Sequence, residues 1–404
     1  MSVGTLFSCG LLFLFMLPII SGITFFILSF NWLVGKKAIF FLFLACILFN
    51  IEFLLVMPVN GVDIERYFGT IAEMRLLPNL HALMSFWEFN LQYERTNWLF
   101  TLFEWLISRT PYSTLLPFVT TSLCSFFTLY PFFDIAQKYP RNKKTILFFA
   151  LVIFFLIGYG WMASTSRWGL AVTSVLFSDY IFFIKLDERK RFCWILFLPI
   201  LFHIGSLVEI IFALYVSFIK KTSLFKTILI IVPIWFYLQY ASTKVSVNDG
   251  SIASQLGIMT NVYSEGMGKL NLNGSITMYI VYVVVLLISF IVLYDIHIVK
   301  RLGPDNYSKS IILLFQLNFL LVLTLIGKTD IFNRFIILPA IFGALYEGLN
   351  RKNCGFVRCG IFITIFTGAF LYEIIMIEQF QFVLSPIHLF VANIYTILSN
   401  IQRY

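Results

Sequence analysis

Long apolar runs, separated by short polar breaks, recur from one end of this chain to the other. Tyr279–Val292 is one such run. Spanning the hydrocarbon core of a bilayer takes roughly 20 apolar residues as a helix, because the core is about 30 Å thick and a helix rises about 1.5 Å per residue. In lipid every backbone N–H and C=O must find its partner inside the protein, so runs of this length predict helices. The alternation expected of a lipid-facing barrel strand is absent. Composition agrees: 60% of the 404 residues are hydrophobic and 12% are charged, against about 25% charged in a soluble globular chain. The expected fold class is all-α, a polytopic transmembrane helical bundle with about 11–13 membrane segments.

Spans are predicted near 9–30, 38–57, 112–134, 145–163, 168–185, 224–240, 275–297, 310–327, 331–349, 358–377 and 383–400. The stretch 192–219 is too long for one untilted span and is interrupted at His203-Ile204-Gly205-Ser206. It predicts two short helices meeting at that break. The first run lacks a basic n-region and a small-residue cleavage site, which predicts a retained anchor. No internal repeat or Pro-rich linker divides the chain, so residues 1–404 read as a single membrane domain.

The net charge of +9 does not imply nucleic-acid binding, because the basic residues lie in short clusters between apolar runs. With the N-terminus outside, Lys36-Lys37, Lys138 to Lys144, Lys185 to Arg191, Lys220-Lys221, Lys300-Arg301 and Arg351 to Arg358 all fall on the cytoplasmic face, as the positive-inside rule expects. The other face then receives two large loops, 58–111 and 241–274. Within the first, the aromatic stretch Asn97–Ser108 suits an interfacial or re-entrant helix. The six cysteines show no metal-ligand spacing. Cys9, Cys46, Cys124 and Cys193 lie in apolar runs and read as small hydrophobes, and no metal or other cofactor is expected.

Three cations on the outer face break the positive-inside pattern: Arg66 after Gly-Val-Asp-Ile-Glu, Arg167 at the start of a span, and Arg334 just inside another. The plainer reading of each is a snorkelling anchor. Together on one face they point to an anion site, since guanidinium is suited to bidentate phosphate recognition. His203 sits at the break of the 192–219 helix on that same face, where a structural role competes with a catalytic one. Asp63 and Glu65 form an Asp-x-Glu pair. It supplies ligands for a divalent metal, a general base or, after Asn60-Gly61, merely a turn. Tyr67, Trp87 and Tyr93 are aromatic groups able to stack on sugar rings, though interfacial filling explains them as well.

Several of these segments, in this order, resemble the EpsG-type polysaccharide polymerases, relatives of the Wzy O-antigen polymerases. Gly61-Val62-Asp63-Ile64-Glu65-Arg66-Tyr67 is similar to their Gly-Thr-Asp-Tyr-x-x-Tyr element, with Val62 in place of Thr. Glu94-Arg95-Thr96-Asn97-Trp98-Leu99-Phe100 resembles their Glu-Pro-Gly-Phe stretch without its Pro and Gly. Ser166-Arg167-Trp168-Gly169-Leu170-Ala171, a basic cluster, and Phe202-His203-Ile204-Gly205-Ser206-Leu207 follow the family's Arg-x-x-x-Ala … His-x-Ser order, and Asn333-Arg334-Phe335 its late Arg. The likeness covers about residues 50–345.

The resemblance implies a glycosyltransferase of the bacterial inner (plasma) membrane, acting at its periplasmic face in O-antigen, capsule or exopolysaccharide assembly. It would join undecaprenyl-diphosphate-linked oligosaccharide repeat units, with a flippase and a chain-length regulator as partners. On that reading Arg167 and Arg334 hold the diphosphate. Arg66, Arg95, Lys328 and Tyr67 gather substrate, and Asp63 or His203 activates or orients the acceptor hydroxyl. The competing readings are a flippase or transporter of lipid-linked oligosaccharide, and an O-antigen ligase or acyltransferase. Transporters often show matched internal repeats with interrupted helices, and no such match is found here.

Overall fold

The computed structural model describes residues 17–31, 33–57, 63–89, 97–158, 166–184, 193–218, 272–297, 306–326, 329–350, 356–378, 382–383 and 392–401, with isolated positions in 5–14 and 229–233. Its described secondary structure is helical apart from one isolated bridge, between Val56 and Phe382. The helices are α1 (Pro18–Asn31), α2 (Gly35–Phe49), α3 (Asp63–Arg75), α4 (Leu80–Phe89), α5 (Trp98–Ser108), α6 (Leu115–Lys138), α7 (Lys143–Ile157) and α8 (Ser166–Ile184). They continue with α9 (Leu198–Phe202), α10 (Leu207–Phe218), α11 (Leu272–His297), α12 (Asn306–Thr324), α13 (Thr329–Phe335), α14 (Ile337–Asn350), α15 (Phe356–Glu378) and α16 (Ile394–Ser399).

Among the described residues six helices are long and apolar enough to cross a membrane: Gly35–Leu55, Leu115–Lys138, Ser166–Ile184, Thr277–His297, Phe332–Leu349 and Arg358–Ile377. Pro18–Asn31, Ile204–Phe218 and Lys309–Thr324 are apolar but shorter. The predicted break in 192–219 is present. A 3-10 turn at Cys193–Phe197 leads into α9, the chain turns at His203, and a second 3-10 turn (Ile204–Ser206) starts α10. The predicted span 331–349 is present as α13 and α14 together, with the Ile336 N–H between them bonded to the Phe332 carbonyl at 2.9 Å. Most of the predicted span 224–240 and of the loop 241–274, and residues 384–391 of the predicted span 383–400, lie outside the described residues; α16 falls within the described part of 383–400.

α8 is the centre of the bundle. It packs against α6, α9, α12 and α14, and every residue from Ser166 to Ile184 except Phe177 is buried. One end of the bundle is tied together by polar contacts between helix termini. Gln137 donates to the Leu33 carbonyl at 3.2 Å, and Asn142 to the Leu349 carbonyl at 3.4 Å. Arg358 bridges Asp295 and Glu347, joining the ends of α11, α14 and α15. Lys36, Lys37, Lys138, Lys143 and Lys144 lie at this same end, on the termini of α2, α6 and α7. The opposite end carries α3, α4 and α5, which occupy the first long loop.

Candidate functional site

At that opposite end, α3 is amphipathic. Ile64, Tyr67, Phe68, Ile71 and Met74 recur at helical spacing and are buried. The stripe carries Tyr67 inward and leaves Asp63 and Arg66 on the outward side. Asp63 pairs with Arg66 at 3.4 Å, with side chains 37% and 54% exposed, so the pair contributes no more than about 1 kcal/mol.

Arg167 stands in the first turn of α8 and is buried. Its Nε donates to the Tyr67 hydroxyl at 3.3 Å. Its guanidinium carbon lies 5.5 Å from the centre of the Tyr67 ring and 5.9 Å from that of Phe100, at α5. The Arg66 guanidinium is 5.5 Å from the same tyrosine ring. Tyr67 is thus flanked by two cations. Its burial raises the phenol pKa, and the charge of Arg167 opposes that rise.

The neighbouring residue, Trp168, organises the other half. Its ring meets the edge of His203 at 5.0 Å and Phe335 at 5.4 Å, and the Arg334 guanidinium lies 5.8 Å from its centre. α13 delivers Arg334 from far along the chain and is anchored by Asn333, whose side chain accepts a hydrogen bond from the Tyr282 hydroxyl of α11. His203 lies in the connection between α9 and α10. Its Nδ1 accepts the Gly205 N–H at 3.0 Å, which leaves the proton of the neutral ring on Nε2. Burial pushes this imidazole well below its ordinary pKa, and the charges of Arg334 and Arg167 push it the same way. The ring is therefore a neutral Nε2–H donor at physiological pH.

Two further groups belong to the site by position. Asn97 stands at the N-cap position of α5 but makes no side-chain cap bond there; its Oδ1 accepts the Ile204 N–H at 3.3 Å instead, which ties the first loop to the helix break. Its Nδ2, like the Trp168 Nε1, is a buried donor with no partner. Gly205 is fixed by space: a Cβ there would lie 3.0 Å from His203 Nδ1 and 3.3 Å from the Trp168 ring.

The structure therefore brings Arg66, Tyr67, Arg167, His203 and Arg334 together, with Asp63 attached through Arg66. Arg95 and Lys328 lie outside the described residues. Asn97, Trp168 and Gly205 were not singled out by sequence as members of the site. An Asn at a helix start, an aromatic in an apolar run and a glycine at a turn each have an ordinary structural use. Among the described residues no group of three or more His, Cys, Asp or Glu side chains is placed to hold a metal ion. Three guanidinium groups, two at the Tyr67 ring and one at the Trp168 ring, together with several neutral donors, can take up an anion with many acceptor oxygens. No family model, curated protein or solved structure matches the chain.

Proposed function

We propose that the chain is a polysaccharide polymerase, joining undecaprenyl-diphosphate-linked oligosaccharide repeat units at the outer face of a bacterial plasma membrane. One observation carries the proposal. Arg334, over 160 residues further along the chain, lies against Trp168, the residue next to Arg167, and both guanidinium charges act on the His203 ring at the end of the bundle opposite the basic clusters. Guanidinium groups gathered at one end of the bundle suit a ligand with several acceptor oxygens. A diphosphate attached to a lipid presents its charge at this depth.

In the proposed reaction the acceptor hydroxyl oxygen bonds to the anomeric carbon of the donor glycan. The bond from that carbon to the phosphate oxygen breaks, and its electron pair leaves with undecaprenyl diphosphate. Arg167 and Arg334 stabilise the charge that grows on the leaving diphosphate. Tyr67 holds the Arg167 fork in place. His203, protonated at Nε2, orients an oxygen of donor or acceptor rather than removing a proton. Asp63, released from Arg66 by incoming substrate, is the carboxylate that takes the acceptor proton.

The test is a deletion strain read as a glycan ladder. Loss of the protein is expected to leave a single repeat unit in place of the ladder. The wild-type gene is expected to restore chain length, and Arg167→Ala and Arg334→Ala to fail despite normal membrane levels. A full ladder in the deletion strain, or from Arg167→Ala, overturns the proposal.

A further inference from the structure

A second polar cluster lies inside the bundle, and its character is the reverse of the first. Asp179 on α8, Glu209 on α10 and Asn318 on α12 are each at most 4% exposed. α12 packs against both α8 and α10. Asn318 Nδ2 donates to Glu209 Oε2 at 3.0 Å and to the Leu314 carbonyl of its own helix at 3.0 Å. Both amide hydrogens are then engaged. Three acceptor oxygens are left without a partner: Asp179 Oδ2, Glu209 Oε1 and Asn318 Oδ1. Asp179 and Glu209 are within electrostatic reach of each other but share no hydrogen bond.

Two carboxyl groups in this position require neutralisation, because an unpaired charge in the membrane interior is costly. The charged groups on the surrounding helices are held elsewhere. Lys138 of α6 pairs with Asp134, Glu347 of α14 pairs with Arg358, Arg167 stands at Tyr67 at the start of α8, and Lys309 is at the beginning of α12. α9 carries no charged residue. Among the described residues no ion pair reaches Asp179 or Glu209. Three buried oxygens without a partner, on helices joined through α12, are the donor type that a hard cation takes.

We propose that Asp179, Glu209 and Asn318 form an intramembrane binding site for a small monovalent cation, sodium or a proton. The site is separate from the arginine cluster. Asp179 is twelve residues beyond Arg167 on α8, about 18 Å along the helix. Neither the site nor its test depends on the polymerase reading.

The test is the melting temperature of the purified full-length protein in lipid nanodiscs, in NaCl, KCl and choline chloride at one ionic strength and several pH values. A saturable rise of several degrees with sodium, absent with choline, is expected if sodium is the occupant. A rise on acidification without sodium selectivity is expected if the occupant is a proton. Asp179→Asn and Glu209→Gln should remove whichever response the wild type shows. A wild type indifferent to both cations overturns the proposal without any variant. So does a response that survives both substitutions, which would leave Glu209 and Asn318 as a closed acid–amide contact.

Discussion

In the proposed reaction Arg167 is the side chain on which the chemistry turns, and its surroundings specify what its replacement should do. Removing a preorganised charge donor from a site where charge develops slows an enzyme by about 10²–10³-fold. Arg167→Ala should show a loss of that size in chain extension. Arg167→Lys should recover little of it, because an ammonium lacks the planar fork that reaches the Tyr67 hydroxyl at 3.3 Å and a ligand together. Tyr67→Phe removes the orienting hydrogen bond but keeps the ring, and should cost several-fold rather than abolish activity. His203 supplies a pH prediction. Its pKa in the folded protein lies well below the usual value, so it remains neutral as pH falls through about 6.5, where an unperturbed imidazole gains its proton. The rate should not follow a histidine titration in that range. Stability should decline on acidification through it, since only the unfolded chain takes up the proton there. A rate limb near the ordinary histidine value that disappears in His203→Gln would contradict the assignment. The arginines and the histidine were legible in the sequence because polar groups in apolar surroundings are conspicuous. Trp168 and Asn97 were not, since the chain has many aromatic residues with no such role and an amide at a helix start is an ordinary cap. The buried Asp179, Glu209 and Asn318 also went unremarked, because nothing in linear order shows that α12 packs against both α8 and α10.

Among the elements, the turn between α9 and α10 sets how His203 faces Trp168. A Cβ at Gly205 would press on the His203 ring, 3.0 Å from Nδ1, and on the Trp168 ring at 3.3 Å, so one of them must give way. Gly205→Ala should therefore displace the imidazole and reduce chain extension by ten-fold or more, while the rest of the bundle still inserts. Normal activity in that variant would show that the close approach of the turn is not required. The break itself was readable from Gly-Ser after a histidine, since both residues interrupt a helix readily. The first loop gave up only its last helix to inspection. α5 was visible as a short aromatic stretch, whereas the amphipathic pattern of α3 lies beneath the more conspicuous Asp63-Ile64-Glu65-Arg66 charges.

At the scale of the whole molecule, two ends of the bundle do different work. The end holding the described basic termini is clamped by Arg358, which contacts Asp295 at 2.6 Å and Glu347 at 2.7 Å. In sequence this arginine reads as one more topology signal; that it also joins three helices depends on where α11 and α14 end. Removing one partner of a buried ionic cluster costs about 3–5 kcal/mol. Arg358→Met should lower the unfolding temperature in detergent accordingly, with the site at the far end unchanged in sequence and contacts. The orientation is accessible to labelling in a cysteine-free background. Leu76→Cys, at an exposed position after α3, should react with a membrane-impermeant thiol reagent on intact cells, and Lys36→Cys only after permeabilisation. The measurement that bears most directly on the proposed chemistry uses the purified protein in liposomes carrying undecaprenyl-diphosphate-linked repeat units and no other protein. Growth of a glycan ladder with release of undecaprenyl diphosphate, abolished by Arg167→Ala and Arg334→Ala, is the predicted result. Transfer of the intact lipid-linked unit between leaflets without any increase in chain length would contradict it.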